Sequence, residues 1–216
     1  MKQLIYLIIA VFFYNCSSVK MTDSWRSRDF SDYKPQNVLI IGITENLTAR
    51  KKFEEQLRIE LQNRGIAATE SYEVFEPTFM SLKQTEEDIQ KEMERITEAG
   101  FDAVLISAVK GVDEKISYSG GPYFRGYYWG PWGPHYYWGR YYYFYQDVYF
   151  MDGYYNEYNV YHIEATLYNL KNQTDTSLVW VASYNIVNPE SINNTVNDYV
   201  KAIIKSLEKE GFIAPK

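Results

Sequence analysis

The chain has 216 residues, 46% of them hydrophobic, and carries 22 Lys and Arg against 28 Asp and Glu for a formal net charge of −6. That is enough material for the core of one ordinary domain, or of one domain with an elaborate insertion. The acidic balance excludes a nucleic-acid partner, since phosphate binding needs clustered Lys and Arg, and the only contiguous cations, Arg50, Lys51 and Lys52, run into Glu54 and Glu55 as one solvated helix face. Cys16 is the sole cysteine, so no disulfide can form within the chain and the fold stands on its packing.

Lys2, the apolar run Leu4 to Tyr14 and then Cys16 have the layout of a secretory leader, too short for a spanning helix. The stretch FYNC followed by Ser17 and Ser18 resembles the bacterial lipobox, with Phe13 and Asn15 departing from its usual aliphatic and small residues. The resemblance implies a signal peptide over 1–15 and a diacylated Cys16, two acyl chains being what firm anchoring requires. Ser17 and Ser18 lack both the aspartate that resembles an inner-membrane retention signal and the acidic cluster that resembles a surface-export signal. The expected location is therefore the outer membrane of the cell envelope, on its periplasmic face. Residues 16–35 are polar and read as a lipidated tether lifting the domain off the membrane. Trp25 is the exception, a large ring expected to dock on its own domain.

From Asn37 the pattern changes, and 36–216 reads as a single α/β domain. Val38 to Ile43 is an unbroken aliphatic run, a strand buried on both faces. A helix follows, capped by Asn46 or Thr48, with Ala49, Phe53, Leu57 and Leu61 recurring every four residues until Gly65. Ile66 to Tyr72 reads as a second strand and Phe75 to Ser81 as an irregular connection around Pro77. Thr85 and Asp88 cap a helix whose Ile89, Met93 and Ile96 share a face until Gly100, and Phe101 to Val109 is a third buried strand.

The second half obeys a different period. Tyr161, Ile163, Ala165 and Leu167 alternate with His162, Glu164 and Thr166, a strand with one wet face, and Leu178 to Val187 returns antiparallel to it after the polar turn Lys171 to Asp175. After Asn188-Pro189 a last helix carries the stripe Ile192, Val196, Tyr199, Val200, Ile203, Ile204 and Leu207, and Gly211 stops it. The predicted architecture is βαβαβ, an insertion, then ββα: a mixed sheet of the α/β (α+β) class with helices packed on it.

The lipobox, the early Trp25, the strand NVLIIGI, the helix KKFEEQLRIELQNRG and the strand GFDAVLI, with a Tyr/Gly-rich stretch, resemble a group of small Gram-negative envelope lipoproteins of unknown function. The core layout is also similar to the amino-terminal domain of TolB and to the periplasmic core of the curli secretion channel, a likeness of fold that implies no chemistry.

The insertion, 118–158, holds 14 of the 22 tyrosines, 3 of the 5 tryptophans and 7 of the 12 glycines. Pro122, Pro131 and Pro134 bar a long helix or central strand from Gly120 to Arg140. Tyr141 to Phe150 has strong β propensity, and Asp152-Gly153 suits a hairpin turn. Three readings stand: a self-packed aromatic cover of the sheet, an interaction surface for a protein, a like subunit or a glycan, and a disordered tract. The candidate surface is Tyr127, Tyr128, Trp129, Trp132, Tyr136, Tyr137 and Trp138. Surplus aromatic area suggests that Gly120 to Arg140 can be deleted without unfolding the body.

Catalytic groups are not set up. His135 sits among aromatics; His162 and Glu164 share a strand face, but two ligands without a third make a weak metal site. Asp113-Glu114 and Glu86-Glu87 are adjacent carboxylates that point apart. The expectation is a non-enzymatic lipoprotein without a cofactor, held to the membrane by its lipid, that binds or scaffolds another envelope component or self-associates. The alternative is a glycan- or peptidoglycan-binding module using the aromatic insertion.

Overall fold

A computed structural model describes residues 18–114, 138–146, 159–171, 177–187, 189 and 191–216. One mixed sheet holds six strands, β1 (Val19–Arg26), β2 (Asn37–Ile43), β3 (Ala67–Glu70), β4 (Ala103–Glu114), β5 (Asn159–Asn169) and β6 (Leu178–Val187), in the order β1-β6-β5-β4-β2-β3. β2 runs parallel to both β3 and β4, whereas β4–β5, β5–β6 and β6–β1 are antiparallel. The described helices are α1 (Leu47–Gln62), α2 (Ser71–Val74), α3 (Pro77–Ser81), α4 (Glu86–Glu98), α5 (Trp138–Tyr145) and α6 (Ile192–Lys209). This is the predicted α+β class.

The aliphatic run of β2 splits by its period of two. Val38 and Ile40 enter a core shared with Phe53, Leu57 and Leu61 of α1 and with Val200, Ile203 and Leu207 of α6. Leu39, Ile41 and Ile43 face the opposite way, against Ile89 and Ile96 of α4 and Trp138 and Tyr142 of α5. The sheet is therefore covered on both sides. Helix starts follow the capping residues: Asn46 accepts from the Ala49 N–H at 3.0 Å, Thr85 and Asp88 form a reciprocal capping box, and Ser191 accepts from the Asn194 N–H. Gly65, at φ 77°, closes α1 in the left-handed region.

Five expectations need correction. Within the proposed tether 16–35, Val19–Arg26 is built into the fold as β1, the sheet's edge strand, with Trp25 half-buried on it. An edge strand bonds along one side only and tolerates polar side chains, so its composition looks like that of a linker. The second strand, expected to reach Tyr72, stops at Glu70 where α2 begins, and the connection Phe75 to Ser81, expected to be irregular, contains α3, with Pro77 in its first turn, where its missing N–H costs nothing.

The aromatic stretch from Tyr141 is not the start of a strand. Trp138 to Tyr145 is helical because Trp138 and Tyr142, one turn apart, both find the groove beside α4, and tertiary packing overrides the β propensity of tyrosine. Finally, the supposedly wet face of β5 is covered: Glu164 and Thr166 are buried.

Candidate functional site

α1 leaves β2 on one face of the sheet and leads to β3; α4 returns from β3 across the other face to β4. The connections part between β2 and β4, and in such sheets the crevice outside the carboxyl ends of the strands is where ligands bind. Three polar constellations lie at or near this edge.

The first is centred on Glu54, which is fully buried. Its Oε1 accepts from the Gly42 N–H at 2.9 Å and from Arg50 Nε at 3.2 Å, and its Oε2 accepts from the Ser71 N–H at 2.9 Å. The Ser71 hydroxyl donates to the same carboxylate at 2.8 Å and accepts from Arg50 at 3.1 Å. Burial pushes the Glu54 carboxyl above its ordinary range, against the Arg50 charge and the Gly42, Ser71 and Arg50 donors, which pull it down. A Cβ on Gly42 would come within 3.2 Å of Phe53 and 3.3 Å of Arg50, so a side chain there would press on both residues where α1 approaches β2. The group ties the ends of β2 and β3 to α1, and Arg50 reaches on to Met80 Sδ of α3 at 3.2 Å.

The second is Lys110, whose Nζ lies 2.9 Å from Glu164 Oε2 and 5.7 Å from the Tyr145 ring centroid. It sits at the irregularity between Val109 and Gly111, where the pairing of β4 with β5 shifts. Burial works against its charge, but Glu164 and Tyr145 outweigh that and the amine stays protonated above its usual range. In the third, Ser107 and Tyr199 share a hydrogen bond of 2.8 Å inside the core, with the Tyr199 ring stacked on Phe53 at 5.6 Å.

Cys16, Tyr127, Tyr128, Trp129, Trp132, His135, Tyr136 and Tyr137 lie outside the described residues, as does Asp152-Gly153. Trp138 is described, and it is corrected: at 1% exposure, set edge-on to Tyr142 at 6.4 Å, it is a core residue and not part of a surface. His162 and Glu164 are not brought together as ligands, because His162 Nδ1 bonds Asn185 Oδ1 at 2.8 Å and Glu164 bonds Lys110. Among the described residues no group of three or more His, Cys, Asp or Glu could hold a metal. The Glu54 constellation was missed, although its signal was present: Arg50 and Glu54 stand four apart on the apolar face of α1 beside Phe53 and Leu57.

No protein-family model matches the chain, and no curated protein matches it in sequence. Among solved structures it is similar to the PelC dodecamer from Paraburkholderia phytofirmans, at 14% identity over 88% of this chain and 95% of that one, with a TM-score of 0.42. It is also similar to lipoprotein GNA1162 from Neisseria meningitidis, at 14% identity over 81% of this chain and 99% of that one, with a TM-score of 0.41.

Proposed function

We propose that the chain is a non-enzymatic lipoprotein, anchored through Cys16 to the periplasmic face of the outer membrane, whose α+β body carries a binding surface for another envelope component. One observation carries the reading: a charged start, an apolar run and the chain's only cysteine stand in lipobox order directly ahead of the folded domain. The body is consistent with a carrier, since its buried carboxylates are matched within the fold, as Glu54 is by Arg50 and Ser71 and Glu164 by Lys110. The density of Tyr and Trp in 118–158 supports a second reading, a glycan- or peptidoglycan-binding surface on which sugar faces stack.

Mass spectrometry of the native amino terminus tests the anchor: a diacylated Cys16 is expected, and an intact Met1 terminus would remove it. Crosslinking in intact cells separates the two readings of the partner, a captured envelope protein supporting the first and captured glycan strands the second.

A further inference from the structure

We propose that the carboxyl edge of the parallel strands is a membrane-contacting surface, resting on lipid with Leu47, Leu82, Val112 and Ile192 as its apolar contacts. The proposal builds on the anchoring of Cys16 and adds the face of the domain that the membrane meets.

The first observation is the lack of slack. Ser18 already accepts the Val187 N–H at 3.0 Å, and β1 begins at Val19. Two Cα steps separate Cys16 from Ser18, so an acylated Cys16 keeps the start of the sheet within about 8 Å of the lipid that holds it. Nothing lifts the domain away.

The second is which end of the sheet this is. Val19 pairs with Ile186, so the start of β1 lies beside the end of β6. The antiparallel ladder through β5 places the end of β4, and the parallel pairing the end of β2, at that same edge. The chain therefore meets the membrane with the end from which α1 and α6 depart.

The third is where exposed apolar bulk lies. Among the described residues the exposed large hydrophobics are Met21, Leu47, Leu82, Val112 and Ile192, with Leu47 at 59% and Leu82 at 63%. Leu47 and Ile192 are the first residues of α1 and α6, Val112 lies near the end of β4, and Met21 near the start of β1. Leu82 sits in the connection entering α4, a helix that must run from this edge to reach the start of β4. Scattered single exposures are ordinary, but these gather at one end. At the opposite end Arg64 is bridged to Glu208 and Glu60, and Lys171 to Asp102. An acidic chain gains nothing from anionic headgroups, so the contact is apolar and zwitterionic lipid suffices.

The test uses the full chain expressed with its leader and purified from membranes, carrying an environment-sensitive fluorescent amino acid at Leu47 or Ile192, or at Asn63 or Lys209 as controls from the opposite end. In phosphatidylcholine vesicles containing nitroxide lipid, probes at Leu47 and Ile192 should shift to the blue and lose most of their signal, while those at Asn63 and Lys209 keep theirs. Equal quenching at both ends, or none at Leu47 and Ile192 with Cys16 shown by mass to be acylated, overturns the surface and leaves the anchor standing. If the mass shows an unmodified Cys16, the anchor fails instead. The same probes are then read with the Cys16 thiol, the only one in the chain, coupled to a maleimide lipid. Quenching confined to Leu47 and Ile192 upholds the surface, and its absence overturns it.

Discussion

Gln146 and Gln84 hold each other by a reciprocal pair of hydrogen bonds: the Gln84 N–H donates to Gln146 Oε1 at 2.6 Å, and Gln146 Nε2 donates to the Gln84 carbonyl at 3.0 Å. Gln146 is buried just past the end of α5, and Gln84 precedes the cap of α4. One amide thus fastens the only described part of the aromatic insertion to the body. Gln146→Ala strips both partners from the Gln84 backbone and should cost about 1–3 kcal/mol, read as a lower urea midpoint at unchanged slope.

Removing Glu54 leaves the Arg50 guanidinium buried without its carboxylate. Glu54→Ala should destabilise the domain by about 3–5 kcal/mol by chemical denaturation, far more than the removal of an exposed ion pair such as Lys91 with Glu87.

Burial holds the Tyr199 phenol well above its ordinary value of 10.0, against the Ser107 hydrogen bond, which lowers it. The folded chain therefore keeps a proton that the unfolded chain gives up, so this stability is whole below pH 10 and is lost as pH rises further. Tyr199→Phe should flatten the fall in unfolding free energy above pH 10 by about 1.4 kcal/mol per pH unit. At neutral pH it should cost about 1–3 kcal/mol, because Ser107 loses its partner.

Ile203 is fully buried between α6 and the sheet. Ile203→Ala should cost about 2–5 kcal/mol in thermal or urea unfolding, which would mark α6 as integral to the core.

The position of Trp138 changes where the insertion can be cut. Replacing residues 118–135 by a short Gly/Ser linker should leave a cooperatively folding protein that no longer captures its partner in cells. Extending the cut through Arg140 also removes Trp138, and that variant should lose about 3–5 kcal/mol more.

What was legible in the sequence was whatever one local pattern dictates. The βαβαβ and ββα order followed from aliphatic runs, caps and a period of about four residues in α1, and the α6 stripe was read residue by residue, with only Ile192 proving exposed. Three of the failures share a cause. β1, α5 and the Lys110–Glu164 pairing depend on partners far along the chain: β1 on β6, Trp138 on α4, Glu164 on the β4–β5 irregularity and Tyr145. No window of neighbouring residues carries those contacts, and in each case the local composition pointed to a tether, a strand or a wet face.

The pairing of β1 with β6 also orders events in time. The Thr22 hydroxyl bonds the Ser183 carbonyl 161 positions further on, so the first strand has no template until almost the whole chain has been made and β6 has joined β5. Closing so long a loop comes late and slowly. The stretch Val19–Arg26 consequently stays unpaired through most of synthesis, its backbone donors and acceptors open to water, and completing the sheet ties it down last.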